Sequence, residues 1–181
     1  MPSPPRRRAP RKLVTRLPRR SEAKAGHNRP SGSDPLVTEF VIVKRSRIHG
    51  RGVFAAKPFH KGARIIEYTG RRIRWSSIPD ELDDPRMYYF GIGDGEWVID
   101  PSAGGNEAQW INHSCDPNCE IRETSRRIFI HALRNIRPGE ELSYDYKLET
   151  DDDVPRTKAI EAEAPCRCGS KNCRGTLLAP R

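Results

Sequence analysis

The sequence predicts a mainly β domain built from several small sheets. From about residue 36 onward, short runs rich in β-branched and aromatic residues alternate with Gly, Pro and Asp turn signals. With 181 residues, 35% of them hydrophobic, the chain is long enough to bury one core of ordinary size. Helix signals are limited to residues 76–82, which Pro79 interrupts, and residues 106–111.

Short strands account for most of the predicted folded part. Residues 38–43 (Thr-Glu-Phe-Val-Ile-Val) are rich in β-branched residues, which favour extended backbone. Residues 63–68 follow a turn at Lys61-Gly62, and residues 52–55 are short and apolar. The other predicted strands are 87–92, 97–100, 119–122, 128–132 and 141–144.

Positive charge is concentrated at the N-terminus. The formal net charge is +9, and residues 1–30 hold ten Lys/Arg against one acid, Glu22, together with six prolines. This composition predicts a disordered basic tail over 1–35, followed by a folded domain over 36–148. Such a tail can bind nucleic acid, direct the chain to a nucleus or simply remain solvated, and its sequence does not choose among these roles.

The C-terminal part contains an acidic segment and a group of cysteines. Residues 149–164 include three consecutive Asp at 151–153 and are predicted to form an exposed acidic connector. Residues 165–181 hold three of the five cysteines, Cys166, Cys168 and Cys173. The spacing does not resemble a disulfide framework, so a metal site in a reducing compartment is the better interpretation, with unliganded thiols as the alternative.

Membrane insertion is not expected. No apolar run approaches the roughly 18 residues that a membrane span needs, and the N-terminus lacks the apolar stretch of a signal peptide. We therefore expect an intracellular protein without a membrane partner.

Several residues have a structural and a functional interpretation. Two glycines bracket one residue in the run 48–55 (Ile-His-Gly-Arg-Gly-Val-Phe-Ala), which suits either a tight turn or close approach of the backbone to a ligand. The pair Asn-His at 112–113 is, by itself, most simply structural. Tyr68, Tyr144 and Tyr146 are by themselves most simply core residues of a β domain.

Three pieces of the chain, taken in order, resemble the signature of the SET-domain protein lysine methyltransferases. They are Asn-His-Ser-Cys at 112–115, Tyr-Asp-Tyr at 144–146 and Cys-x-Cys-x4-Cys at 166–173. No common structural reason would place these three pieces together. The resemblance covers residues 38–178 and implies a SET-like fold of small β-sheets with a C-terminal pseudoknot, a zinc-bound post-SET segment and no pre-SET cluster.

The resemblance implies S-adenosylmethionine as cofactor. In SET domains a Gly-x-Gly loop cradles this cofactor, and an Asn-His pair contacts it. The chain departs from the family pattern at Gln109 and Trp110, where Arg and Phe or Tyr are usual, and at Arg86, where many members have Tyr. The resemblance assigns cofactor contacts or the adjoining pocket edge to His49, Gly50, Arg51, Gly52, Val53, Arg86, Asn112 and His113.

The chemistry of methyl transfer gives the tyrosines a specific use. Only a neutral amine has a free lone pair, whereas free lysine, with a pKa of about 10.4, is almost wholly protonated at neutral pH. A narrow aromatic channel desolvates the ammonium and lowers its pKa, and tyrosine hydroxyls orient the amine without adding charge. The resemblance gives this catalytic role to Tyr68 and Tyr146. It places Tyr144 where the number of methyl groups is limited, which favours monomethyllysine.

The resemblance also completes the metal site. Structural zinc sites are closed by four protein ligands. Cys166, Cys168 and Cys173 supply three of them, and the family pattern names Cys115 as the fourth. Cys119 is the competitor, and His113 is less favoured because the cofactor contact uses it. Zn²⁺ at this site is expected to fold the C-terminus over the active site as a lid.

The sequence thus predicts an S-adenosylmethionine-dependent protein-lysine N-methyltransferase acting on a histone or another basic protein, in the nucleus on chromatin if the cell is eukaryotic and otherwise in the cytoplasm. The acidic connector suits a cationic peptide, and the basic tail suits nucleic acid. Two alternatives remain, a catalytically silent peptide reader and a nucleic-acid-binding zinc protein. The retained site residues argue against the first, and the formally neutral charge of residues 31–181 argues against the second.

Overall fold

A computed structural model describes residues 36–78, 89–93, 95–149 and 155–180. Several features named from the sequence lie outside these residues. They are the basic tail up to residue 35, Arg86, the three Asp at 151–153, residues 79–82 of the first predicted helix and residues 87–88 of a predicted strand.

The described residues form a mainly β structure, as the sequence predicts. The strands are β1 (Leu36–Val37), β2 (Val41–Arg45), β3 (Arg51–Ala55), β4 (Arg64–Tyr68), β5 (Arg71–Arg74), β6 (Phe90–Ile92), β7 (Trp97–Asp100), β8 (Asn112–His113), β9 (Cys119–Thr124), β10 (Arg127–Ala132) and β11 (Ser143–Tyr144). Within the described part they make three three-stranded sheets and one two-stranded sheet. Burial alternates along β6, whereas β7 and β10 each hold three consecutive buried residues.

Strands β1 to β4 belong to two antiparallel sheets. The first has the order β1-β2-β3, and Val43 faces Val53 across β2 and β3 with both side chains buried. The second has the order β4-β10-β9, and its buried face includes Ile128 and Ile130 on β10. The tight turn between β9 and β10 places Ser125 and Arg126 at φ of 50° and 61°.

The third antiparallel sheet has the order β5-β7-β6. Strand β5 was not predicted, because its sequence, Arg-Arg-Ile-Arg, holds a single apolar residue and shows no alternation. Pairing with β7 makes it a strand, with Arg71 opposite Asp100. The Arg71 guanidinium donates to the buried Asp100 carboxylate at 3.0 Å, so charge pairing compensates for the missing apolar pattern.

The remaining sheet is a parallel pair, β8 with β11. Asn112 is opposite Ser143, and His113 is opposite Tyr144. Both strands are buried, and β8 was not predicted as a strand because two polar residues carry no strand signal. This pairing lies in the region where the resemblance places the C-terminal pseudoknot, and it joins the Asn-His-Ser-Cys segment to the Tyr-Asp-Tyr segment.

The described helices are short. The 3-10 helix Glu107–Trp110 agrees with the predicted turn at 106–111, and Trp75–Ser77 forms another short 3-10 helix. One six-residue helix, α1 (Lys158–Glu163), begins after Thr157, whose side chain accepts a hydrogen bond from the Ile160 N–H. Among the described residues, no helix has the length and apolar character that crossing a membrane requires.

The C-terminal segment packs back onto the sheets. Leu148 pairs with Leu178, and both side chains are buried at 3% exposure. Ala164 is also buried, and its carbonyl accepts a hydrogen bond from Leu177 N–H at 2.8 Å. The prediction of an exposed connector over 149–164 therefore needs correction at its C-terminal end, where α1 leads into a buried residue.

Candidate active site and metal centre

The Gly-x-Gly loop joins β2 to β3, and its two glycines are needed for different reasons. Gly50 has φ of +45°, a backbone conformation that favours glycine. Gly52 is buried, and a Cβ built on it would lie 2.9 Å from the carboxyl carbon of Glu141 and 2.9 Å from Ser46 Cβ. The loop is therefore a tight turn that packs closely against other residues, while His49 and Arg51 are exposed at its tip.

Asn112 connects β8 to this loop. Its side chain is buried, and Nδ2 donates to the carbonyl oxygens of Arg51 at 2.8 Å and His49 at 3.2 Å. It also donates to Glu141 Oε1 at 2.9 Å. The loop and the Asn-His pair, separated by about sixty residues in the chain, thus meet at one place.

An aromatic side chain lies beside the loop. Trp110 ends the 3-10 helix, and the Arg51 guanidinium carbon lies 5.3 Å from the centre of a Trp110 ring, which is a cation–π distance. Asn106 holds this helix in place, because its side chain accepts from Ala108 N–H and donates to Glu67 O at 2.8 Å. Trp110, where the family usually has Phe or Tyr, therefore still supplies an aromatic face next to the Gly-x-Gly loop.

The three predicted tyrosines belong to one aromatic cluster. The ring centres of Tyr144 and Tyr146 are 5.0 Å apart, and Phe90 lies 5.2 Å from Tyr68 and 6.4 Å from Tyr144. All four side chains are buried. Phe90 joins the tyrosines together, and sequence reasoning missed it because its only local signal is membership of a predicted strand.

Tyr146 is held in place at both ends. Its hydroxyl donates to the Ile111 carbonyl at 2.7 Å, and its backbone N–H donates to His113 Nδ1 at 3.1 Å. Because the hydroxyl proton points to Ile111, the oxygen presents lone pairs to any other neighbour and can accept a hydrogen bond from an amine.

His113 lies between Tyr146 and the cysteines. Its Nδ1 accepts from Tyr146, so a neutral ring carries its proton on Nε2, which lies 3.3 Å from Cys115 Sγ. Burial lowers the pKa of His113 to about 4, although the nearby Asp145 carboxylate opposes this. Both ring nitrogens of His113 thus contact other residues of the protein, Tyr146 and Cys115. A contact of His113 with the cofactor remains a prediction.

Four thiols converge at the C-terminus. The Sγ atoms of Cys115, Cys166, Cys168 and Cys173 all lie within 4.8 Å of one another, and those of Cys115 and Cys166 are 3.7 Å apart. In a tetrahedral zinc site with Zn–S bonds of about 2.3 Å, neighbouring sulfurs are about 3.8 Å apart. The number, type and spacing of these ligands fit Zn²⁺.

Cys115, Cys166 and Cys168 differ in acidity. Burial raises the pKa of Cys115 and of Cys166. Burial also acts to raise the pKa of Cys168, but hydrogen bonds from Cys115 and Ser170 outweigh it and lower this pKa to about 6. A lowered pKa favours the thiolate, which is the form that binds a metal.

Cys119 is not part of this group. Its side chain is 1% exposed in the hydrophobic core, where its thiol donates to Asn118 Oδ1 at 3.4 Å. Burial raises its pKa to about 12. The geometry therefore favours Cys115 over Cys119 as the fourth cysteine of the cluster.

Arg174 connects the cysteine cluster to the tyrosines, a role that sequence reasoning did not give it. Its guanidinium donates to both carboxylate oxygens of Asp145, and its backbone N–H donates to Cys115 Sγ at 3.3 Å. An arginine directly after a cysteine cluster has no local signal, because its partner lies 29 residues earlier in the chain.

The model of the SET domain family matches residues 50–147, which is more than half of the chain and spans the loop, Asn112, His113 and the tyrosines 144 and 146. The chain belongs to the SET-domain family. The mainly β architecture is therefore that of a SET domain, as the sequence analysis expected, and the roles of the loop and the aromatic cluster stay predictions.

Curated relatives of this SET domain are histone-lysine N-methyltransferases by name. The trithorax protein of Drosophila virilis is 41% identical over 152 residues, and histone-lysine N-methyltransferase 2B of Homo sapiens is 41% identical over 151. The H3 lysine-4 specific enzyme of Saccharomyces cerevisiae is 41% identical over 148 residues. These alignments cover 76–77% of this chain but 4%, 5% and 13% of the relatives, so the chain matches only a small part of their length.

Solved structures agree with the fold assignment. KRYPTONITE in complex with mCHG DNA and SAH is 31% identical, with a TM-score of 0.61, over 77% of this chain and 29% of that chain. KRYPTONITE in complex with mCHH DNA, an H3(1–15) peptide and SAH has a TM-score of 0.62 over 77% and 30% of the two chains, again at 31% identity.

Proposed function

We propose that this chain is an S-adenosylmethionine-dependent protein-lysine N-methyltransferase that acts on a histone or another basic protein. The observation that carries the proposal is the meeting of the Gly-x-Gly loop and Asn112, with Tyr146 linked to the neighbouring His113. The names of the relatives support histone lysine as substrate, and the KRYPTONITE complexes with SAH and an H3 peptide support the ligand and substrate classes.

The residues around the loop fit the cofactor. When bound, S-adenosylmethionine supplies a methyl group attached to a sulfonium. The exposed tip of the loop, residues 49–51, lies beside the aromatic face of Trp110. Asn112 fixes the carbonyls of His49 and Arg51, so the loop is preorganised before a ligand arrives.

The aromatic cluster prepares the amine. Tyr68, Phe90, Tyr144 and Tyr146 are buried, so an ammonium placed beside them loses hydration, and its pKa falls toward neutrality. The Tyr146 oxygen, whose proton is given to Ile111, accepts a hydrogen bond from the amine N–H. That bond directs the amine lone pair away from the tyrosine, which is the orientation that an in-line displacement needs.

Monomethyllysine is the proposed main product. Tyr144 is 3% exposed and packs against both Tyr146 and Phe90, so its ring has little room to move. A methylated amine is larger than the unmethylated one, and a tightly packed tyrosine leaves no space for it to turn for a second transfer.

We further propose that Zn²⁺ binds the four cysteines and secures the C-terminal segment beside the active site. The roles of the tail and connector follow from their charge alone. The basic tail contacts nucleic acid, and the acidic connector attracts a cationic peptide. The chain then works on chromatin, where histone tails and DNA occur together.

The proposal is tested by incubating the purified chain with labelled S-adenosylmethionine and a mixture of core histones. We expect label to be transferred to protein, and mass spectrometry to find it on lysine. Tyr146→Phe should reduce transfer strongly while S-adenosylmethionine affinity, measured by calorimetry, is retained. Cofactor binding without any transfer would instead identify a silent reader, and absence of cofactor binding would refute the proposal.

A further inference from the structure

Glu141 is a carboxylate that the sequence analysis and the family pattern stated above leave without a role. It lies just before β11, next to the buried Gly52. Its Oε1 accepts two hydrogen bonds, from Ser46 Oγ at 2.6 Å and from Asn112 Nδ2 at 2.9 Å. This oxygen atom therefore links the segment before β11 to Ser46 at the start of the loop and to Asn112 on β8.

The contact with Asn112 has a chemical consequence. An amide nitrogen has two hydrogens, and the shortest contacts of Asn112 Nδ2 are with Arg51 O at 2.8 Å and Glu141 Oε1 at 2.9 Å. A backbone carbonyl can only accept a hydrogen bond, so Nδ2 rather than Oδ1 must face Arg51 O. The Oδ1 atom then faces the opposite direction, and no described residue donates a hydrogen bond to it.

The absence of a side chain at position 52 is part of the same arrangement. A Cβ there would collide with the Glu141 carboxylate, so Gly52 provides the space that the carboxylate occupies. Ser46 and Gly52 flank the loop tip, and Glu141 contacts both. Glu141 Oε1 thus lies in the space left by Gly52 and accepts hydrogen bonds from the Ser46 hydroxyl and the Asn112 amide.

We propose that Glu141 is a positioning residue for the cofactor, which acts together with the Arg51 and His49 carbonyls to hold the orientation of the Asn112 amide, so that Oδ1 accepts a hydrogen bond from the ligand's ammonium group. This inference rests on the proposed function of the loop as the S-adenosylmethionine site. It assigns Glu141 no contact with the methyl group or the substrate lysine.

The backbone near Glu141 does not depend on its side chain. Glu141 O accepts from Asn118 Nδ2 at 2.8 Å, and Leu142 N–H donates to Val53 O at 2.7 Å. Ser143 N–H donates to Asn118 Oδ1 at 2.9 Å. Substitution at position 141 therefore leaves β11 in place, and a folded variant is expected.

The test measures S-adenosylmethionine affinity by calorimetry on the full chain. Glu141→Ala should weaken binding by about tenfold or more, because the Asn112 amide loses one of the three acceptors that hold its direction. Glu141→Gln keeps an acceptor oxygen toward Ser46 and Asn112 and should bind within about threefold of the wild type. Glu140→Ala is the matched control, since the Glu140 carboxylate pairs with the exposed Arg134 and accepts a hydrogen bond from Arg137 N–H; the affinity of this variant should be unchanged.

A double-mutant cycle separates positioning from a general structural effect. If Glu141 acts through Asn112, the Asn112→Ala/Glu141→Ala protein binds the cofactor no more weakly than Asn112→Ala alone. In steady-state assays, Glu141→Ala should raise KM for S-adenosylmethionine while KM for the peptide is unchanged.

Three outcomes would overturn the inference. They are wild-type affinity in Glu141→Ala, additive losses in the double mutant, or Glu141→Gln as weak as Glu141→Ala, which would mean that charge rather than orientation matters. A wild-type chain that does not bind S-adenosylmethionine would instead refute the proposed function, so the two failures are distinguishable.

Discussion

The guanidinium of Arg174 donates two hydrogen bonds to the carboxylate of Asp145, at 3.0 and 2.7 Å. Asp145 lies between Tyr144 and Tyr146, and Arg174 directly follows the last cysteine of the cluster. A forked pair of this kind is stronger than a single surface contact, because both bonds involve charged groups in a fixed planar geometry. It ties the segment that bears the tyrosines to the segment that bears three of the metal ligands.

Replacing Arg174 by Ala should therefore lower the free energy of unfolding by about 1–3 kcal/mol and reduce methyl transfer, because the tyrosine segment loses its contact with the C-terminus. Urea denaturation followed by circular dichroism measures the first effect. Arg134→Ala is the control. Its ion pair with Glu140 is largely exposed, with 57% of the arginine side chain accessible, and its removal should cost less than about 1 kcal/mol. Equal losses in the two variants would contradict the role given to Arg174.

The cysteine cluster should hold one zinc ion per chain. Elemental analysis of purified protein should find it, and Cys168→Ser should lose both the metal and thermal stability, because one of the four ligands is removed. Cys119→Ser should keep the metal, since that side chain is 1% exposed in the core and makes its own hydrogen bond to Asn118. Full metal content in Cys168→Ser would rule out the proposed set of ligands.

Substitution of Tyr144 should change the product, whereas substitution of Tyr146 should change the rate. Tyr144→Phe removes a hydroxyl from the packed cluster, so we expect di- and trimethyllysine to appear in the mass spectrum of the product. Tyr146→Phe should slow every transfer by about a hundredfold without changing the product, because the acceptor that orients the amine is gone. Tyr89→Phe, in another buried tyrosine outside the predicted site, is the comparison for loss of a hydroxyl. Trimethyllysine as the main wild-type product would refute the role of Tyr144.

Asp100 should contribute to acid sensitivity. Burial alone would raise its pKa, but hydrogen bonds from Ser102 and Arg71 outweigh burial and hold the pKa below the ordinary 3.8. A lowered carboxyl pKa stabilises the fold above the unfolded-state pKa, and this stability is lost as the pH falls through the folded-state value.

Wild-type protein should therefore lose stability as the pH falls below about 4, whereas Asp100→Asn should be less stable at neutral pH and change less on acidification. Melting temperatures measured across this range provide the comparison. Asp116→Asn, in an exposed position, should keep the wild-type profile. An identical acid response in Asp100→Asn would show that other carboxyl groups control it.

Deletion of residues 1–30 should separate nucleic-acid binding by the tail from methyl transfer by the folded domain. The deletion removes the whole formal excess charge of +9 but none of the predicted site residues. We expect activity on a short histone peptide to survive, while affinity for duplex DNA falls and loses most of its dependence on salt concentration. Fluorescence anisotropy at several salt concentrations measures this. A folded but inactive truncation would show that the tail contributes to the site.

Strands with an apolar pattern were predictable from the sequence, and strands formed by long-range partners were not. Residues 97–100 (Trp-Val-Ile-Asp) are a strand as predicted, because the apolar run itself favours one. Strand β5 depends on β7, and the two-residue strand β8 depends on β11. Their sequences are too polar or too short to indicate a strand without those neighbours.

Residues of the candidate site were likewise predictable where the local sequence indicates their role, and not where the role depends on a distant partner. The close spacing of Cys166, Cys168 and Cys173 predicts metal ligands from the local sequence. Cys115 lies 51 residues before Cys166 and was named only through the family resemblance. Arg174 and Phe90 were missed because each gains its role from a partner in a distant segment. Residue types reveal local chemistry, whereas a contact between distant segments becomes visible only when the fold is known.

The parallel pairing of β8 with β11 has a consequence for synthesis on the ribosome. Asn112 and His113 emerge about thirty residues before their partners Ser143 and Tyr144, and the bond from Ser46 to Glu141 spans 95 residues. Contacts between distant segments carry a loop-closure cost and form late. A nascent chain that ends before β11 therefore exposes strand edges without their partners. We expect ribosome-bound chains halted near residue 140 to be protease-sensitive and to become protected once the segment through residue 180 has left the exit tunnel.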